Sequence, residues 1–255
     1  MLTIDKLGKR FGGLYALKDV SVRAAPAEIT AVIGPNGAGK STLMNVISGF
    51  IPPDHGTVEV GGVPITGLKP HEVCRQGVAR TFQNLQMFTD MTVLEAVVTG
   101  RTRHMTASFI ANLLMTPHAR NDEKAAVAAS RTLLQTMGIP ENYWTRRAGD
   151  LPYGLQRRVE IARALATEPA FMLLDEPAAG LNDDESAALG ETLRELAQGG
   201  IGIVLIEHDI ELVMNVSRHI FVMDAGTVIA EGTPEAVRAN PDVVAAYLGD
   251  EHVDA

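Results

Sequence analysis

The stretch "ITAVIGPNGAGKSTLMNVISG", residues 29–49, constrains this chain more than any other. An apolar run ends in a glycine-crowded turn, and the turn opens directly into a helical pattern. A strand that is apolar on both faces belongs inside a sheet covered on both sides. Two more such runs, "FMLL" at 171–174 and "GIVLI" at 202–206, recur later. Parallel strands of this kind need crossover helices, so the pattern predicts an α/β core.

The rest of the chain fits around that core. "SVRAA" alternates, with Val20, Val22 and Ala24 on one face, and "TVEV-GG-VPI" predicts a hairpin at Gly61-Gly62. From about residue 84 to 166 the pattern turns helical. "NDEKAAVAASRTLLQTMG" predicts a helix with a polar start at Asn121 and a stop at Gly138. β/α alternation then resumes. Asn182 is placed as the cap of a helix with Glu185 at the capping-box position and Leu189, Leu193 and Leu196 on one face. "FVMDAGTVIAEG" predicts a second hairpin. Thr233-Pro234 and Asn240-Pro241 each predict a short closing helix. The expected organisation is a single domain over 1–255: an α/β core from 1–83 and 167–255, an antiparallel β part at its N-terminal end, and a helical subdomain inserted at 84–166.

Composition sets the limits. The 255 residues are 46% apolar and 21% charged, enough to bury a core. The net charge of −9 argues against a dedicated nucleic-acid binder. With Cys74 as the sole cysteine, no intrachain disulfide forms, and a reducing compartment is expected. No apolar stretch approaches the ~20 residues that span a bilayer.

The turn after the first buried strand fits G-x-x-x-x-G-K-[ST]: Gly34, Pro35, Asn36, Gly37, Ala38, Gly39, Lys40, Ser41, then Thr42. Its glycines let backbone N–H groups converge on a phosphate, and the following helix adds its positive end. Lys40 is placed to reach the β- and γ-phosphates of a nucleotide, and the Ser41 hydroxyl to hold Mg²⁺. An acidic partner stands after "FMLL": Asp175 for the metal and Glu176 to polarise an attacking water. Both lie at the C-terminal end of a strand, where ligands sit in open α/β sheets. His208 follows the third buried run and becomes a γ-phosphate contact in that company.

These residues together resemble the ATP-binding subunit of an ABC transporter, over nearly the whole chain. The shared elements come in the family's order: Walker A at 34–42, the Q-loop Gln83 in "RTFQN", a signature-like "LPYGLQRRVEIARAL" at 151–165, Walker B at 171–176, a D-loop "AGLN" at 179–182 and the switch His208. Phe11 in "KRFGG" matches the aromatic that stacks on adenine. "RFGGLYAL", "GVARTFQNLQMF", "DEPAAGLN" and "GTPEAVRANPDVVAAYLG" are most similar to the branched-chain amino acid importer ATPases. The resemblance implies ATP and Mg²⁺ as ligands, and Gln83 as a sensor of metal and γ-phosphate. It implies a second ATPase chain as dimer partner, two transmembrane permease subunits, a substrate-binding protein acting through them, and a peripheral place on the cytoplasmic face of the plasma membrane. It also implies that Leu151, Pro152, Tyr153, Gly154, Leu155 and Gln156 face the ATP of the other chain, beside a D-loop of Ala179, Gly180, Leu181 and Asn182.

Two departures stand out. The usual Leu-Ser-Gly-Gly-Gln is Leu151-Pro152-Tyr153-Gly154-Leu155, and the D-loop ends in Asn182 where the family has Asp. The trans contact is therefore expected to rest on backbone N–H groups from Gly154 onward. The chain is nearly silent on cargo, so urea, other amino acids or lipid export stand beside branched-chain amino acids. A non-hydrolysing regulatory module is a further alternative, which Glu176 and His208 oppose. A soluble ABC protein acting on ribosomes or DNA is opposed by the single P-loop and the acidic balance. The apolar "NLQMFTDMTVLEAV" is either core or a groove for a membrane subunit. "RTRHM" at 101–105 is a solvated loop or a contact with anionic lipid or the partner.

Overall fold

The computed structural model describes residues 1–81, 90–106 and 116–248. Close contacts divide it into two units: residues 1–80 with 170–255, and residues 81–169.

The first unit holds two sheets. β1 (Leu2–Phe11), β2 (Leu14–Ala24), β4 (His55–Val60) and β5 (Val63–Pro64) form an antiparallel sheet in the order β2-β1-β4-β5. Val20, Val22 and Ala24 all face inward, as their alternation predicts. Val60 pairs with Val63 across the Gly61-Gly62 turn. The second sheet runs β10-β9-β3-β8-β7-β6. Its members are β3 (Ile29–Ile33), β6 (Val78–Arg80), β7 (Phe171–Asp175), β8 (Gly202–Ile206), β9 (His219–Asp224) and β10 (Thr227–Gly232). All neighbours are parallel except β10, which returns on β9 as the predicted hairpin.

Every residue of β3, β7 and β8 is buried. Alternation explains this, because successive side chains enter different layers. Val32, Leu173, Val204 and Ile206 pack with α1 (Lys40–Ile47) and with the antiparallel sheet. Ala31 and Ile33 point the other way, toward Val213 of α7 (Ile210–Val216) and Val237 of α8 (Pro234–Arg238). A last helix, α9 (Pro241–Leu248), closes the described chain. Parallel register sets Val32 opposite Ile206 and Ile206 opposite Asp175. The chain therefore leaves β3, β8 and β7 along one edge of the sheet, with Gly34, Glu207 and Glu176 just beyond it. Small α2 (Pro70–Arg75) leads into β6.

The second unit is helical among its described residues: α3 (Val93–Arg101), α4 (Pro117–Thr136) and α5 (Tyr153–Leu165) pack on one another. Two helix starts differ from expectation. α4 begins at Pro117, a turn before Asn121, because Thr116 accepts from the N–H of Ala119 and Pro117 fits the first helical position. α5 begins at Tyr153, two residues before the run "LQRRVEIARAL", with Pro152 as its cap. Gly138, at φ 65°, ends the turn after α4 as expected. The sole Trp144 is buried and donates from Nε1 to the Ile139 carbonyl, a packing role.

"RTRHM" is a helix-end clamp. Arg101 donates to Glu168 at 2.5 Å, and Arg103 and His104 both bond the Thr167 carbonyl, covering the C-terminal end of α5. Cations are favoured at that end of a helix. Of "NLQMFTDMTVLEAV", Val93 is core and Met91 is 39% exposed; the part at 84–89 lies outside the described residues.

Candidate nucleotide site

The loop 34–42 closes tightly onto its surroundings. A Cβ on Gly34 would sit 2.0 Å from the Met223 carbonyl oxygen, and one on Gly39 2.4 Å from that of Ala16. Gly39 also lies at φ 101°, in the left-handed region. Only glycine fits at either place. The Lys40 side chain is buried and folds back over the loop, donating from Nζ to the carbonyls of Gly34 (2.6 Å) and Pro35 (2.8 Å). The Ser41 side chain is exposed in the first turn of α1.

This loop floors a cleft of about 550 Å³. Phe11, Tyr15 and Lys18 line one part of it, the loop residues 36–42 another, and Glu176 with His208 a third. Phe11 is 46% exposed, with Lys9 Nζ 5.6 Å from its ring centroid. The cleft thus gathers an aromatic, a phosphate cradle and a pair of acid–base groups in one unit. A larger depression of about 710 Å³ lies elsewhere, between Arg23, Glu28, Arg218 and Phe221. It shares no residue with the loop.

His208 Nε2–H donates to Glu176 Oε1 at 2.7 Å. Glu176 holds φ 49°, a left-handed conformation that costs a non-glycine residue on the order of 1–3 kcal/mol. Its own N–H is tied to the Ile206 carbonyl at 2.9 Å, which carries the β7–β8 ladder one step past the strand.

Asp175 is buried and meets Arg80 at 3.1 Å. Arg80 also donates to Asn45 Oδ1 (2.7 Å) and Ser48 Oγ (2.9 Å). Burial pushes the Arg80 guanidinium down, and the Asp175 charge opposes that shift. Arg80 was not legible as a site residue, since 95 positions separate it from Asp175. No cluster of three or more His, Cys, Asp or Glu able to hold a metal occurs among the described residues. One carboxylate and one hydroxyl suit Mg²⁺, which binds through one or two carboxylates, water and substrate phosphates. Ser41 lines the cleft, whereas Asp175 is not among its lining residues and its carboxylate meets Arg80.

Glu207 is the other residue that the sequence did not reveal. Its carboxylate is buried, and accepts from the N–H groups of Ala178 (2.6 Å) and His208 (3.2 Å). Burial raises its pKa, although the two backbone bonds work against the rise. Asn182 caps α6 (Asp183–Gln198), taking the Glu185 N–H at 2.9 Å, while Glu185 reaches back to Asn182 N. Leu189 and Leu193 are buried on that helix and Leu196 is half-buried. Ala179, Gly180 and Leu181 form the turn before it.

In the helical unit, the N–H groups of Tyr153, Gly154 and Leu155 begin α5, and the next, on Gln156, already donates to the Pro152 carbonyl. The set open to an anion is therefore 153–155, starting one residue earlier than expected. Gln156 turns its amide onto the carbonyls of Leu151 and Gly149. Tyr153 is 41% exposed with Arg157 over its ring. Arg157 pairs with Glu160 at 3.1 Å inside the unit, and Glu160 also opposes the downward shift that burial imposes on Arg163. Gln83 lies outside the described residues.

A family profile described as "ABC transporter" matches residues 17–179. The chain belongs to this family. A second profile, "Branched-chain amino acid ATP-binding cassette transporter", matches residues 227–253 of the cassette. The cassette is 42% identical to the high-affinity branched-chain amino acid transport ATP-binding protein BraF of Pseudomonas aeruginosa, across 98% of each chain. It is 43% identical to the protein LivG of Escherichia coli, with the same transport description and the same coverage. A solved ATP-binding cassette of an ABC transporter in its ADP conformation superposes at TM-score 0.85, with 35% identity and 98% of each chain covered. The cassette is thus an ATPase with the α/β fold expected from the sequence. Among its described residues no helix is long and apolar enough to cross a membrane.

Proposed function

We propose that this cassette hydrolyses ATP to drive import of branched-chain amino acids through membrane subunits, as one half of an ATP-closed dimer. The observation that carries the hydrolytic part is the 2.7 Å bond between His208 and Glu176 in the same cleft as the phosphate loop. The cargo rests on the transport named for its relatives and on the second family profile.

Phe11 stacks on adenine, and the N–H groups of 36–42 with Lys40 take the phosphates. For this Lys40 leaves the carbonyls of Gly34 and Pro35. Asp175 and Ser41 are the residues that would hold Mg²⁺, which supplies charge neutralisation at the β- and γ-phosphates. Glu176 orients a water in line with the γ-phosphorus. The water oxygen bonds to phosphorus, the bond to the β–γ bridging oxygen breaks, and Glu176 accepts the proton. His208 holds the Glu176 carboxylate in position and contacts the γ-phosphate. The N–H groups of 153–155 on the second chain complete the phosphate shell, and their loss of the γ-phosphate reopens the dimer.

Lys40→Ala removes a charge-assisted phosphate contact. Mant-ATP affinity should fall at least about tenfold. Cells carrying the variant should lose high-affinity leucine uptake while retaining uptake of an unrelated solute. Leucine uptake at the normal rate in a variant that no longer binds nucleotide would overturn the cargo reading.

A further inference from the structure

Glu207 plays no part in the hydrolytic scheme above, yet it is the most buried carboxylate near that site, 3% exposed. Burying a carboxylate is costly unless its oxygens are satisfied. Here one oxygen takes the N–H of Ala178 at 2.6 Å and the other takes the N–H of His208 at 3.2 Å. The two N–H groups belong to different loops. One loop runs from Glu176 into 179–182, and the other carries His208. The facing charges are Glu176 and Asp209, both acidic. Neither offers Glu207 an ion pair, so the backbone N–H groups are what hold it.

On the far side of His208, Asp209 makes a parallel connection. It accepts from the Ser186 hydroxyl at 3.2 Å and caps α7 through the N–H of Leu212 at 2.9 Å. His208 is therefore bracketed on both sides by acids that reach to the segment 178–186. That segment includes the turn 179–182 and the first turn of α6.

We propose that Glu207 is a positioning residue for hydrolysis, locking the backbone of His208 to the loop that follows Glu176 so that the two loops move as one body. Any displacement of 179–182 is then passed to the imidazole, and from it to the Glu176 carboxylate 2.7 Å away. The coupling needs a group with two acceptor oxygens. Glutamine has the same shape but one acceptor and one donor, so it keeps one of the two ties and turns an N–H toward the other.

The inference rests on the reading of His208 and Glu176 as the hydrolytic pair, and the experiment separates the two. Steady-state ATP hydrolysis, mant-ATP affinity and thermal melting are measured on the full chain for wild type, Glu207→Gln, His208→Ala and the double variant. Glu207→Gln should lower kcat by about tenfold, the scale of one lost hydrogen bond to a charged group, with ATP affinity unchanged. In the His208→Ala background it should add less than about twofold, because residues acting through one another are not additive. Glu207→Asp is too short to reach both N–H groups and should not restore turnover. Normal turnover in His208→Ala would overturn the hydrolytic reading, and this inference with it. Normal turnover in Glu207→Gln beside an impaired His208→Ala would overturn the inference alone, as would a full multiplicative loss in the double variant. An equal loss of kcat and ATP affinity would also overturn it, because that is the pattern of a merely structural carboxylate.

Discussion

Glu207 shows what one buried carboxyl does to stability as well as to geometry. Its pKa is raised by desolvation, against the pull of two N–H donors. The folded chain therefore holds this proton more tightly than the unfolded chain does. Below the ordinary value of 4.5 both states are protonated and the group contributes no slope. From 4.5 up to the raised value the folded state binds more protons, so stability from this group falls as pH rises. Glu207→Gln removes that slope. Urea unfolding of both proteins across this window should show the wild-type advantage over the variant shrinking with rising pH, then levelling off. An advantage that grows with pH would contradict the assignment. The residue was hidden in the sequence for a simple reason. An acid directly after the apolar run "GIVLI" looks like the start of a solvated loop, and nothing local says that it turns inward. The places of Lys40, Asp175 and Glu176 at or after strand ends were legible because they follow from a strand meeting a loop. Arg80 was not, because its tie to Asp175 exists only once β6 and β7 pair.

Elements were legible where apolar pattern and caps agreed. β3, β7 and β8 announced themselves as unbroken runs, and both hairpins as runs around a glycine turn. Helix starts were harder wherever two cap signals competed. Thr116-Pro117 wins over the acidic stretch at Asn121 because proline has a fixed φ suited to the first turn. α5 starts at Tyr153, with Gly154 tolerated in its first turn. Asn182 caps α6 with its own side chain, which accepts from Glu185 N. Asn182→Ala should therefore destabilise the α/β unit by about 1 kcal/mol, read by chemical denaturation, whereas Asn182→Asp should be close to neutral. At α5, Gly154→Asp sets a carboxylate beside the N–H groups proposed to meet a γ-phosphate. Hydrolysis should be lost and mant-ATP binding to the single chain retained, because the phosphate loop is untouched. Normal turnover in Gly154→Asp would remove "LPYGLQ" from the mechanism.

At the scale of the molecule, the chain is one ATP-binding unit with a helical unit inserted in its sequence. The purified chain should bind ATP and ignore free leucine in calorimetry. All of this depends on the cassette breaking the β–γ bond with its own carboxylate. Phosphate release by the purified full chain, wild type against Glu176→Gln, tests that directly when mant-ATP affinity is measured on the same preparations. The amide keeps the shape of the side chain and cannot take the water's proton, so turnover should fall by at least about a hundredfold with ATP affinity intact. Phosphate release by Glu176→Gln at the wild-type rate would contradict the mechanism.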